Sequence, residues 1–234
     1  DSFSDGGERF DPERAIADAV QMAADGADII DVGGESTRPG ADPLPIEEEL
    51  RRVLPVIEGL RARVDVPISI DTYKANVAAR ALDLGVTIVN DVSAFVYDPS
   101  LAGVVAARTA AVVLMHNRGR SAEMYAQAEY ADVAGEIVRE LGERIREAEA
   151  AGIRRDVIIV DPGLGFAKRA EHTFAAQAHL PALAALGRPV LCGPSRKSFL
   201  RAALGDVPAR DGIGEHGEWR VGLVPVVVPI ENAR

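Results

Sequence analysis

The stretch PISIDTYKANVAARALDLGVTIVND, residues 67–91, contains one complete unit of the fold. It opens on a short apolar run, Pro67 to Asp71, passes through a segment of helical period, Lys74 to Leu84, and returns to a second run, Val86 to Asp91. Both runs are rich in Val or Ile and both end on a carboxylate. Apolar character throughout, with chemistry confined to the carboxyl end, is how a buried parallel strand reads, and the helix between two such strands is their crossover.

The same alternation extends in both directions. Further strands are expected at Asp28 to Val32, Ala111 to His116, Val157 to Asp161 and Pro189 to Cys192. A helix is expected from Pro12, after an Asp11 N-cap, to a stop at Gly26. Another opens at Pro45 with Glu47, Glu48 and Glu49 in its first turn, where the helix dipole favours them, and its interior Pro55 predicts a kink. Ser100 to Arg108, Asp132 to Ala151 and Glu171 to Leu186 complete the set. Six strands with their helices argue for an α/β barrel over a doubly wound sheet. After Leu204 the rhythm fails: a Gly-rich polar stretch, Asp211 to Gly217, precedes an apolar run, Val221 to Ile230, whose Pro225 and Pro229 argue against a central strand. The expected organisation is therefore a barrel domain over residues 1–204 and a divergent tail over 205–234.

Composition narrows the function. The chain has 234 residues, 47% of them apolar, enough for one domain and too few for two of full size. Its formal charge of −10 repels phosphate backbones and anionic lipid, so nucleic acid is not an expected partner. No apolar run reaches the length of a membrane helix, no signal peptide opens the chain, and the single cysteine, Cys192, excludes an intrachain disulfide framework; together these favour a reducing cytoplasm.

The strand ends carry the chemistry. Asp31 with Gly33 to Gly40, Asp71-Thr72, Asn90-Asp91, His116-Asn117, Asp161-Pro162-Gly163 and Gly193 to Lys197 all follow predicted strands, and parallel strands bring them to one face. At any one position an Asp, Asn or Gly serves equally well as a helix cap or a turn. The repetition points beyond capping. Carboxylates and an Asn amide suit a heterocycle bearing N–H and amino donors, whereas Arg38, Ser195 and Lys197 suit a phosphate or carboxylate. Gly163 to Lys168 lacks the last glycine of a dinucleotide fingerprint and the Gly-Lys-Ser/Thr of a P-loop, and Gly193 to Lys197 lacks the second glycine of a nucleophile elbow. His116, His172, His179 and His216 show no metal-ligand spacing and read as core or surface residues.

Taken in order, Asp1 to Gly7, Gly33 to Gly40, Ser69 to Lys74, Val89 to Val92, Asp161 to Lys168 and Ser195 to Phe199 resemble the motifs of the dihydropteroate synthases. The resemblance runs from about Asp1 to Leu204 and implies a TIM (β/α)8 barrel. It also implies condensation of 6-hydroxymethyl-7,8-dihydropterin diphosphate with 4-aminobenzoate, giving 7,8-dihydropteroate and diphosphate, with Mg2+ on the diphosphate and a homodimeric assembly. Carried over residue by residue, Asp71, Asn90 and Asp161 would hold the pterin, with Lys197 at its edge. Thr37 and Arg38 would touch diphosphate, and Pro39, Phe166, Ser195 and Lys197 would line the aminobenzoate pocket, where sulfonamides compete. Asp71, Asp161 and Lys197 are the implied catalytic residues.

Two departures bear on the expected barrel. The family carries an Asn just ahead of its Asp-Ser-Phe motif, whereas this sequence opens at Asp1, and the family's Arg-Val-His-Asp-Val segment has no counterpart, since no His-Asp follows Arg220-Val221-Gly222. The expectation is a barrel without its first strand, its eighth strand and last helix absent or replaced. Two other readings stay open: a pterin-binding methyltransferase domain, which shares the barrel and the Asp/Asn set, and a non-catalytic barrel that binds pterin without turnover.

Overall fold

A computed structural model describes residues 11–37, 41–120, 125–194 and 199. In chain order these form α1 (Pro12–Ala24), β1 (Ile30–Gly33), α2 (Ile46–Leu60), β2 (Ile68–Asp71), α3 (Ala75–Asp83), β3 (Ile88–Asp91), α4 (Ser100–Arg108), β4 (Ala111–Met115), α5 (Val133–Ala150), β5 (Ile158–Asp161) and α6 (Ala170–Ala178). The strands pair in parallel in the order β1-β2-β3-β4-β5. No reversal of order occurs among them, so this wall has no doubly wound switch point.

Strand alternation gives the wall two unlike faces. Ile30, Val32, Ile68, Ile70, Val89, Val112, Leu114, Ile158 and Val160 point one way and share one core with Ile16, Ile57, Leu60, Val77, Leu101, Val105, Ile137 and Leu141 of α1 to α5. Among the intervening positions, Asp31, Ser69, Asp71, Asn90 and Asp161 carry polar groups to the other face, beside the apolar Ile88, Val113, Met115 and Ile159. Helices on one side and a second, partly polar face on the other is the arrangement of a barrel wall, with the second face turned to the lumen.

Local signals explain the helices. Asp11 caps α1, its Oδ1 accepting from the backbone N–H of Glu13 at 3.1 Å and of Arg14 at 3.3 Å, with Pro12 in the first turn. Asp132 caps α5 through the N–H of Gly135 at 3.1 Å. The α2 helix runs unbroken through Pro55.

Several boundaries differ from the sequence reading. The first observed strand starts at Ile30 rather than Asp28. The expected strand Pro189 to Cys192 is reduced to one parallel bridge, Val190 beside Val160, held by Val160 N–H to Pro189 O at 3.0 Å and Leu191 N–H to Val160 O at 2.8 Å. The helix expected over Glu171 to Leu186 ends at Ala178 and resumes as a 3-10 segment, Leu180–Leu186, because Pro181 lacks an N–H and disfavours helical geometry in the residue before it. The readings of residues 1–10 and of the tail, 205–234, lie outside the described residues.

Candidate active site

Register brings the lumen-facing polar groups side by side. Asp31 lies opposite Ser69, Gly33 opposite Asp71, and Asp71 opposite Asn90, so these side chains form a patch across three adjacent strands. A Cβ on Gly33 would stand 3.3 Å from that of Asp71, so glycine here leaves the Asp71 carboxylate room. Asn90 donates from Nδ2 to Asp31 Oδ2 at 2.9 Å, which fixes its amide and leaves Asn90 Oδ1 to meet a ligand donor. Burial pushes the Asp31 carboxyl up, against the lowering effect of the Ser69 and Asn90 side chains.

Across the wall, at the end of β5, Asp161 is 7% exposed and its Oδ1 accepts from the backbone N–H of Gly163 at 2.6 Å. Next to it Val92, Met115, Phe166 and Ala167 form a small apolar cluster with Tyr73 packed against it, separate from the main core. The site thus combines a carboxylate and amide patch with an apolar wall, a pairing suited to a flat heterocycle and an aromatic partner. A cationic edge completes it: the Arg120 guanidinium lies over the rings of Tyr97, 4.5 Å to the centroid, and Tyr73, 5.6 Å.

The loop after β1 is tied down at its base. Lys74 Nζ donates to Glu35 Oε2 at 2.5 Å, to Leu44 O at 2.8 Å and to Glu49, and Glu35 Oε2 also accepts from the Leu44 N–H at 2.8 Å. Glu49 is 1% exposed and takes a further hydrogen bond from the Thr72 hydroxyl at 2.6 Å. Thr37, on the loop itself, is half-buried.

Of the residues singled out by sequence, the structure brings Asp71 and Asn90 together on one face, puts Asp161 at the end of β5 on that face, and sets Phe166 in the adjoining apolar cluster. Arg38, Pro39, Ser195 and Lys197 lie outside the described residues. Asp31, Glu35 and Lys74 belong to the site's support and were not among the assigned residues, although strand parity gives the signal for Asp31. Lys168 was missed as well. It is 2% exposed, and its Nζ lies 2.8 Å from His116 Nδ1. Burial first, and then the Lys168 charge, lowers the His116 pKa from 6.5 to about 4, so the ring is neutral and accepts from lysine at Nδ1 while its Nε2–H donates to Glu140 at 3.0 Å.

This has a consequence for acid stability. The folded chain keeps His116 neutral down to about pH 4, whereas the unfolded chain protonates it near 6.5, so the unfolded state binds more protons throughout that window. Stability should therefore fall as pH is lowered from 6.5 to 4, with Glu140, whose carboxyl is held below its usual range, adding to the loss at the acid end. In urea titrations at pH 7 and 4.5, His116→Asn should flatten this slope; an equal slope in both proteins would show that other groups govern it.

Residues 1–216 match the family described as pterin binding enzyme. The dihydropteroate synthase of Mycobacterium leprae is 47% identical over an alignment of 246 residues that covers 98% of this chain and 86% of that one. The chain belongs to the dihydropteroate synthase family. Solved structures agree: dihydropteroate synthase from Xanthomonas albilineans with 4-aminobenzoic acid superposes at a TM-score of 0.83 with 44% identity, covering 91% of this chain and 75% of that one. The Yersinia pestis dihydropteroate synthase in a sulfonamide drug complex gives a TM-score of 0.85 with 39% identity, covering 90% of this chain and 76% of that one. The described wall is thus part of the family's TIM barrel, and the methyltransferase reading gives way to the synthase.

Among the described residues no group of three or more His, Cys, Asp or Glu side chains lies together so as to hold a metal ion. No helix among the described residues is long and apolar enough to cross a membrane.

Proposed function

We propose that this chain acts as a dihydropteroate synthase, joining 6-hydroxymethyl-7,8-dihydropterin diphosphate to 4-aminobenzoate with release of diphosphate. The observation that carries the reading is the convergence of Asp71, Asn90 and Asp161 on the lumen face beside the Phe166 cluster, in a chain of this family. Asp71 and Asp161 accept from the amino and ring N–H groups of the pterin, and Asn90, its amide oriented by Asp31, adds a neutral acceptor. When the bond from the methylene carbon to the diphosphate oxygen breaks, positive charge develops on the dihydropterin, and fixed carboxylates in a partly buried site stabilise it. The aminobenzoate nitrogen then forms the new C–N bond and loses a proton. Phe166 supplies an apolar face for the benzoate ring. The resemblance assigns Thr37 and Arg38 to the departing diphosphate, and Pro39, Ser195 and Lys197 to the aminobenzoate side. Mg2+, as the resemblance implies, would neutralise diphosphate charge. A homodimer and a cytoplasmic location go with this reading.

The direct test is formation of 7,8-dihydropteroate from the two substrates, inhibited by a sulfonamide in competition with 4-aminobenzoate. Tight pterin binding without diphosphate release would instead identify the non-catalytic barrel. Lys197→Met keeps the aliphatic stem and removes the ammonium. It should lower kcat/KM for 4-aminobenzoate at least about tenfold, roughly 1.4 kcal/mol, with little change in Tm. Normal aminobenzoate kinetics would remove Lys197 from the site.

A further inference from the structure

The loop that follows β5 is coiled tightly and held from behind. Gly163, Gly165 and Ala167 all have left-handed backbones, with φ of 64°, 77° and 46°. Such a conformation is open to glycine but strained for alanine, so Ala167 stays there only under constraint. A Cβ on Gly163 would sit 2.0 Å from the His116 carbonyl oxygen, so the loop is pressed against the end of β4.

Two side chains grip its carbonyls. Lys168 turns back so that its Nζ donates to Gly163 O at 3.1 Å and Phe166 O at 3.0 Å, and the same ammonium reaches His116 O at 3.3 Å and His116 Nδ1 at 2.8 Å. Tyr130 approaches from the segment before α5, its hydroxyl donating to Ala167 O at 3.0 Å. Tyr130 is itself wedged between the Arg118 guanidinium, 4.1 Å from its ring centroid, and the His172 ring, 5.0 Å away at 63°. Arg118 is anchored in turn by Glu136 at 2.6 Å and by Glu140, the carboxylate that holds His116.

We propose that Lys168 and Tyr130 are positioning residues that preset the loop Asp161 to Lys168, so that Phe166 stands ready as a wall for the aromatic amine before that substrate arrives. The inference rests on the synthase reading and adds to it the determinant of aminobenzoate affinity. Both side chains bond the loop through its carbonyls. Their effect passes through the carbonyls of Gly163, Phe166 and Ala167, and a preset wall lowers the ordering cost of binding rather than the barrier of the chemical step. On the pterin side, Asp71 and Asn90 belong to other strands, and Asp161, although it opens the loop, is held in β5 by its pairing with Met115.

The test uses Tyr130→Phe, which removes one hydroxyl and keeps the ring, alongside Lys168→Met. In Tyr130→Phe the KM for 4-aminobenzoate should rise at least fivefold while kcat and the calorimetric Kd for a pterin stay within twofold; Lys168→Met should show the same pattern more strongly. Hydrogen exchange of the loop amides, including Phe166 N–H, which bonds Gly163 O at 3.0 Å, should speed up at least tenfold in both variants while the β4 amides keep their protection. A residue with a merely structural role would lower Tm and the active fraction with KM unchanged, and that result in Tyr130→Phe would overturn the proposal. So would unchanged loop exchange. A parent chain that makes no dihydropteroate would count against the synthase reading instead, and loop exchange would still decide whether the clamp exists.

Discussion

Replacing Lys74 with Met is expected to destabilise the fold by about 3–5 kcal/mol, the usual cost of removing one partner from a buried ion pair. The Lys74 side chain is 10% exposed and faces Glu49, whose side chain is 1% exposed, and Glu35, at 11%. Burial alone would lower the Lys74 pKa, yet the two carboxylates outweigh it and keep it raised, so the ammonium is charged. Methionine fills similar space but leaves two carboxylates facing each other with little access to water. Leu44 O loses its donor as well, freeing the base of the loop that carries Thr37. Urea unfolding at pH 7 measures the loss, and a change below about 1 kcal/mol would mean that water enters and screens the cluster. Adding Glu49→Gln should recover part of the loss, since it removes the uncompensated charge while keeping an acceptor for the Thr72 hydroxyl.

The second large effect falls on binding. Asp161→Asn should weaken pterin binding by about 1.5–3 kcal/mol, the range for a hydrogen bond to a charged group, with catalysis falling in step. The fold should survive, because the asparagine Oδ1 can still accept from the Gly163 N–H that now bonds Asp161 at 2.6 Å. Calorimetry with a pterin gives the first quantity and thermal unfolding the second. Unchanged affinity would take Asp161 out of the pterin site; loss of folding would make it a loop-capping residue instead.

Much of this was legible in the chain. The βα rhythm, five of six strands to within two residues and the placing of Asp71, Asn90 and Asp161 at strand ends all came from apolar runs that stop abruptly at polar residues. Those signals are local: burial of a parallel strand on both sides favours a largely apolar sequence, and polar groups gather where the strands reach the lumen mouth. The sixth run was legible as apolar but not as weakly paired, since pairing depends on its neighbour.

Face assignment was the part that needed tertiary structure. Asn90-Asp91 and Asp71-Thr72 read alike in sequence, yet Asn90 and Asp71 turn to the lumen while Asp91 turns inward to bond Ser93 and Phe95, and Thr72 turns back to Glu49. A strand buried on both faces carries little alternation from which to fix its phase. Lys168 is the clearest case. Sequence by itself determined the strand order's raw material and the chemistry available at the strand ends. That a lysine seven residues beyond Asp161 would fold under its own loop to meet His116, 52 residues earlier in the chain, was decided only when β4 and β5 paired and brought their two loops together, because a buried ammonium finds its acceptors wherever packing has placed them.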